Sequence, residues 1–246
     1  MEITSNYSIT NLFATKNIKV YIDKVYAFTL VAKTVRDMIQ NDEWNSVYHL
    51  LTLDILQWKE MLHNQVEYDE QLYYIQTMTF QLGGYKQYSK IVEAIHTHLQ
   101  EILPGLKIDF AEKVWKIDNL TITPEIWNYV VYLLKLICGE KVQKPRIFST
   151  PEEKAFYLKQ LEMENRIKKI KQQDANNRDA DGLMKNILAI TYSFPSTTID
   201  YLFDQTMAQI HWLAKYAAQE VSYSVNAQAF AAGNMKKGKK LEFFIK

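Results

Sequence analysis

The sequence predicts a mainly α-helical protein with one or two small β-hairpins in its N-terminal part and a helical C-terminal unit. Apolar residues recur at three- and four-residue spacing from about Thr34 onward, the period of helices buried on one face. Strict alternation is confined to two short stretches. Only 7 glycines and 5 prolines punctuate 246 residues, 48% of them hydrophobic, which favours long regular elements around a real core over a disordered chain.

Ile18, Val20 and Ile22 alternate with Lys19, Tyr21 and Asp23, and the β-rich run 25–30 follows at once, predicting a strand or hairpin. From Thr34 the period lengthens. Val35, Met38 and Ile39, then Val47, Leu50 and Leu51, mark helices that continue through Trp58. Leu72, Ile75, Thr79 and Leu82 share one face of a helix predicted over 68–82, which Gly83-Gly84 breaks. A further helix resumes from Tyr85 with Tyr88, Ile91, Val92, Ile95 and Leu99 and closes at Pro104-Gly105. Stretches 106–110 and 114–117 alternate again and predict a second hairpin. Thr123-Pro124-Glu125 then offers a capping hydroxyl, a proline suited to the first helical position and an acid at the positive helix end, so a buried helix begins there.

Lys141, Lys144, Pro145 and Arg146 end that apolar run and mark the clearest boundary in the chain. The expected organisation is an α-rich domain with short strands over 1–143, a charged helical linker over 144–182, and a small helical C-terminal unit with a basic tail over 183–246. Thr150 with Glu153 three residues on predicts a capping box, and Glu162 with Arg166 and Glu164 with Lys168 pair in the favourable acid-first order. The Asn- and Asp-rich stretch 174–182 predicts a loop. After Phe194-Pro195-Ser196, Thr197 with Asp200 predicts the cap of one long helix carrying Ile199, Leu202, Phe203, Ile210 and Leu213 and running to the Ala-rich stretch before Gly233. Lys236, Lys237, Lys239 and Lys240 form the basic tail.

The formal net charge of +1 provides no overall field to draw the chain onto nucleic acid or an anionic membrane. No apolar stretch reaches the roughly 18–20 residues of a membrane span. Residues 1–10 lack the basic-then-apolar order of a signal peptide, and the single Cys138 can form no disulfide within the chain, so a reducing cytoplasm is expected. The apolar neighbours of Cys138 disfavour its thiolate. None of the five histidines belongs to a His-Glu-x-x-His pattern, and His96 and His98, two residues apart on a helix, diverge too far to share a metal unaided. Gly83-Gly84-Tyr85-Lys86 lacks the rest of a phosphate loop. No catalytic residue, metal or cofactor is therefore assigned, and the expectation is a non-enzymatic protein that grips other proteins.

Aromatic side chains crowd the last unit, among them Tyr192, Tyr201, Trp212 and Tyr216, and suit a protein-binding surface because each buries a large area while most keep a polar tip. Phe203, Ile210, Trp212 and Leu213 are the candidate partner-binding residues; closing the protein's own core is the other use of the same side chains.

The C-terminal third has a charged helical segment over 154–171, an aliphatic stretch over 183–192, the run Ile199-Asp200-Tyr201-Leu202-Phe203-Asp204-Gln205-Thr206 through Ile210, and an Ala-rich close over 227–233. This order resembles the tail assembly chaperones and related tail morphogenesis proteins of bacteriophages. The resemblance implies a chaperone that keeps a tail component soluble, typically the long helical tape-measure protein, recruits tail-tube subunits, and works in the host cytoplasm, with self-association as a further possibility. The alternatives are a connector or baseplate subunit that stays in the virion, and a regulatory protein that binds nucleic acid through the basic tail. Membranes are not expected partners.

Overall fold

The computed structural model describes residues 1–61, 68, 70–77, 79–80, 86–109, 111–146, 148, 150–173 and 180–232. Helices dominate, as predicted, and two small antiparallel sheets lie in the N-terminal part.

The first predicted hairpin is one strand larger than the alternation indicates. β1 (Ile3–Ser5), β2 (Asn17–Ile22) and β3 (Val25–Val31) pair in that order, with Ile3 opposite Ile22 and Ile22 opposite Val25. Asp23 and Lys24 join β2 to β3 with φ of 49° and 68°, the paired left-handed conformation of a two-residue hairpin turn. Ile18, Val20, Phe28 and Leu30 turn into the core from one sheet face. Helix α1 (Ile9–Ala14), which the periodicity does not announce, links β1 to β2 and buries Leu12.

Thr34 caps α2 (Val35–Gln40), and the Asp37 carboxylate returns the bond to the Thr34 N–H at 2.7 Å. α3 (Asp42–Thr52) and α4 (Ile55–Met61) then bury Trp44, Val47, Leu51 and Trp58. The helix predicted over 68–82 starts later than Tyr68: α5 spans Gln71–Thr77, and residues 79–80 are π-helical. The Tyr74 hydroxyl accepts from the Tyr68 N–H (3.0 Å) and donates to the Tyr68 carbonyl (3.2 Å), an acceptor that a helix starting there would need. The predicted face still points inward through Leu72, Ile75 and Thr79. Gly83-Gly84 lies outside the described residues.

α6 (Lys86–Ile102) ends before Gly105, whose φ of 86° lets the chain reverse into β4 (Leu106–Asp109). β4 pairs with β5 (Val114–Ile117) as expected, and β6 (Leu120–Thr121) adds a third strand. Thr123 accepts from the Ile126 N–H to start α7 (Pro124–Ile137), the predicted buried helix. Trp127 on α7 meets Trp115 on β5 edge-on at 5.3 Å, at the centre of the main core.

The C-terminal third departs further from expectation. α8 (Pro151–Gln173) starts at the predicted cap, with the Thr150 hydroxyl accepting from the Glu153 N–H at 3.2 Å. None of its described side chains is fully buried. The expected pairs Glu162 with Arg166 and Glu164 with Lys168 involve side chains outside the described ones, as does the basic tail. α9 (Ala180–Ser193) begins inside the stretch predicted as loop. The single long helix predicted after Pro195 is two, α10 (Ile199–Phe203) and α11 (Met207–Ala231). Thr198, not Thr197, caps α10, by accepting from the Tyr201 N–H. Thr206 and Gln209 then bond reciprocally, backbone to side chain in both directions, and this box starts a new helix where the old one would have continued. Among the described residues no helix is long and apolar enough to cross a membrane.

Candidate protein-docking surface

α9, α10 and α11 enclose a second, small core of Ile187, Ile190, Leu202 and Ile210, and its fifth buried member is Val35 from α2. The C-terminal unit is therefore completed by an N-terminal residue. The Val35 N–H donates to the Gln205 carbonyl at 2.7 Å, and the neighbouring Arg36 guanidinium reaches the Asp204 carboxylate at 2.7 Å and that of Asp200 at 3.3 Å. A second fixture lies where α7 ends. Gly139 has a φ of 78°, and a Cβ at that position would stand 2.2 Å from Nδ1 of His211 on α11. A side chain at Gly139 would have to displace the exposed His211 ring, and the positive φ would strain it as well.

This frame decides the fate of each predicted anchor. Ile210 is fully buried in the second core and cannot meet a partner; that expectation is corrected, because the first turn of α11 points Ile210 back toward α9 and α2. Phe203 and Leu213 are half-buried against the same core, and the Arg36 guanidinium covers the Phe203 ring at 5.9 Å. Trp212 alone among the four is exposed, at 45%. Its ring stacks on Tyr216 (5.7 Å, 5° between planes), Tyr216 stacks on Phe194 (5.7 Å), and Phe13 meets Trp212 edge-on at 5.9 Å. The indole is thus held rigid with one side open.

Further apolar exposure lies on α9. Met184, Leu188 and Tyr192 are 53%, 56% and 85% exposed and form a stripe at four-residue spacing on the side of α9 opposite Leu183, Ile187 and Ile190. On α11 beyond Ala217 no residue is fully buried, and Val221, Val225 and Phe230 add further open apolar surface. The sequence reads 183–192 as one aliphatic stretch and does not separate its two faces. The signal was the second period, 184, 188 and 192, running beside the first.

Cys138, Tyr48 and His98 lie away from this surface. Cys138 caps α7, and burial pushes its thiol up to about 12, so the thiolate is suppressed. The nearby Tyr48 hydroxyl donates to Glu140 Oε1 at 2.5 Å. His98 is buried against Trp44, with Nδ1 3.0 Å from Glu101, whereas His96 is only half-buried on another side of α6. Comparison with protein-family models, with curated proteins and with solved structures found no match.

Proposed function

We propose that the chain is a non-enzymatic phage tail assembly chaperone, which covers the apolar helical faces of a tail component such as the tape-measure protein until assembly. The observation that carries this reading is the open stripe of Met184, Leu188 and Tyr192 on α9, in the same helical unit as the exposed and rigidly held Trp212. An amphipathic client helix presents anchors at three- and four-residue spacing, and a stripe of matching period on a rigid helix is a suitable surface for it. Rigid aromatics contribute most to such contacts because little conformational freedom is lost when they are covered. The order of segments in the C-terminal third, which resembles such chaperones, supplies the biological setting.

The test is affinity capture of the tagged chain from phage-producing cells, with mass spectrometry of purified particles. The expected result is co-capture of a long helical tail protein that is lost in the Leu188→Ser, Tyr192→Ser variant, and absence of this chain from particles. Stoichiometric presence in the particle would replace the reading with that of a connector or baseplate subunit.

A further inference from the structure

α7 and α8 turn stripes of the same spacing toward each other: Asn128, Val131, Tyr132 and Lys135 on α7, and Lys154, Tyr157, Leu158 and Leu161 on α8. Offsets of three, four and seven from the first residue put each set on one helical face. The faces do not close on each other. Between them lies a cleft of about 540 Å³, inside the roughly 300–1,000 Å³ range of small-molecule sites. Asp54 before α4 and Glu70 before α5 border it, and the segment joining α7 to α8 crosses it with Lys141, Gln143, Arg146 and Phe148. Lys141 and Arg146, two of the cations that mark the sequence boundary after α7, thus return as part of a cavity wall.

The lining has a definite chemistry. Four cations, Lys135, Lys141, Arg146 and Lys154, face two carboxylates, Asp54 and Glu70. Lys154 and Glu70 pair at 2.6 Å with both side chains largely sheltered, which ties α8 to the start of α5 and holds the cleft at its width. The lining as a whole carries four cations against two carboxylates, so an anion is favoured. Flat surface accompanies the charge. Phe148 and Tyr157 lie 5.2 Å apart, the Arg146 guanidinium sits 6.0 Å over the Tyr157 ring, and Tyr132 stands on the α7 wall. Carboxamides of Asn128, Gln143 and Gln160 complete the lining, groups that both donate and accept hydrogen bonds.

We propose that this cleft binds a free nucleoside phosphate, with the phosphates between Lys141 and Arg146, the base against the Tyr157 and Phe148 rings, and the carboxamides at the base edge. A compact inorganic anion would use the cations and leave the rings idle; a neutral aromatic would do the reverse. A guanidinium fork matches phosphate oxygens two at a time, and aromatic faces stack on any base. Because side chains and not a glycine-rich backbone loop hold the phosphates, binding weakens as salt rises. The site is separate from the α9 and α11 surface and stands or falls independently of the chaperone reading.

The experiment is calorimetric titration of the full chain at low salt with ATP, GTP and UTP, and with adenosine, sodium triphosphate and a ten-nucleotide oligo-dT. Saturable binding of at least one nucleotide is expected, at least about ten-fold tighter than adenosine or triphosphate, each of which uses half of the contacts. Lys141→Glu with Arg146→Glu should abolish it. Lys144→Glu, in the same segment but with its ammonium over the Tyr129 ring outside the cleft, should leave it unchanged. Absence of saturable nucleotide binding, equal affinity for triphosphate, or binding of the oligonucleotide alone would overturn the proposal. Should the double variant fail to fold, photolabelling of the unmodified chain with 8-azido-ATP decides: label on peptides within 141–161 supports the site, and label elsewhere overturns it.

Discussion

The two hydrophobic clusters of this protein close in different ways. The main core is built from both sheets, from α1 and from α3 to α7, with Ala208 of α11 at its edge, and contains Trp44, Trp58, Trp115 and Trp127, all essentially fully buried. The second has five buried side chains, one of them borrowed from α2. Four buried side chains of its own are few for helices of 14, 5 and 25 residues, and the C-terminal unit is tied to the rest of the chain through Val35, Arg36 and the Gly139 contact with His211. The difference teaches that a region can carry wide-open apolar surface when its order is supplied by a neighbour.

The hardest blow to the main core is Trp127→Ala, which empties a large site beside Trp115. A loss of about 3–5 kcal/mol is expected, read as a lowered urea midpoint for the whole chain. Ile210→Ala should cost about 2–5 kcal/mol and release α9 to α11 first, seen as hydrogen exchange that rises there before the main core opens. A uniform rise would show that the two clusters unfold as one. Gly139→Ala places a methyl group against His211 in a left-handed conformation; about 1–3 kcal/mol is expected, again confined to the C-terminal unit.

A smaller effect is tied to pH. The Lys33 ammonium, and after it His98, hold the Glu101 carboxyl below the usual glutamate range. A carboxyl lowered on folding stabilises above its unfolded pKa of about 4.3 and loses that contribution as pH falls through the folded value. Lys33→Gln should therefore cost less than about 1 kcal/mol at neutral pH, because Glu101 is 45% exposed and solvent screens the pair. Variant and parent melting temperatures should converge below about pH 4; a constant gap would assign the loss to the Lys33 contact with the Trp44 ring instead. The smallest change in stability belongs to Leu188→Ser with Tyr192→Ser, within about 0.5 kcal/mol of the parent, while client capture is lost. Trp212→Ser should weaken capture with a modest stability cost, since its ring also packs on Phe13 and Tyr216.

Local signals carried the fold far. Thr34, Thr123 and Thr150 each start a helix where a hydroxyl can meet an orphan N–H, and alternation at 18–22 and 106–117 marks strands, because these choices depend on neighbours a few residues away. The same local logic placed a cap one residue early at Thr197, and passed over the box at Thr206, since either side of a three-residue break reads as the same helix. The anchors were legible as apolar and helical, but not by their facing. Whether Ile210 is core and Trp212 surface depends on α2 lying against α10 and on Gly139 admitting His211, contacts between residues far apart in the chain. By itself the sequence determined a mainly helical protein, its two strand regions and most helix starts, through hydrogen bonds and periodicities that close within a turn or two. Only the tertiary structure decided which face of α9 stays open, which residue completes the second core, and that two of the cations after α7 line a cleft, because burial is set by what packs against a residue and not by what precedes it.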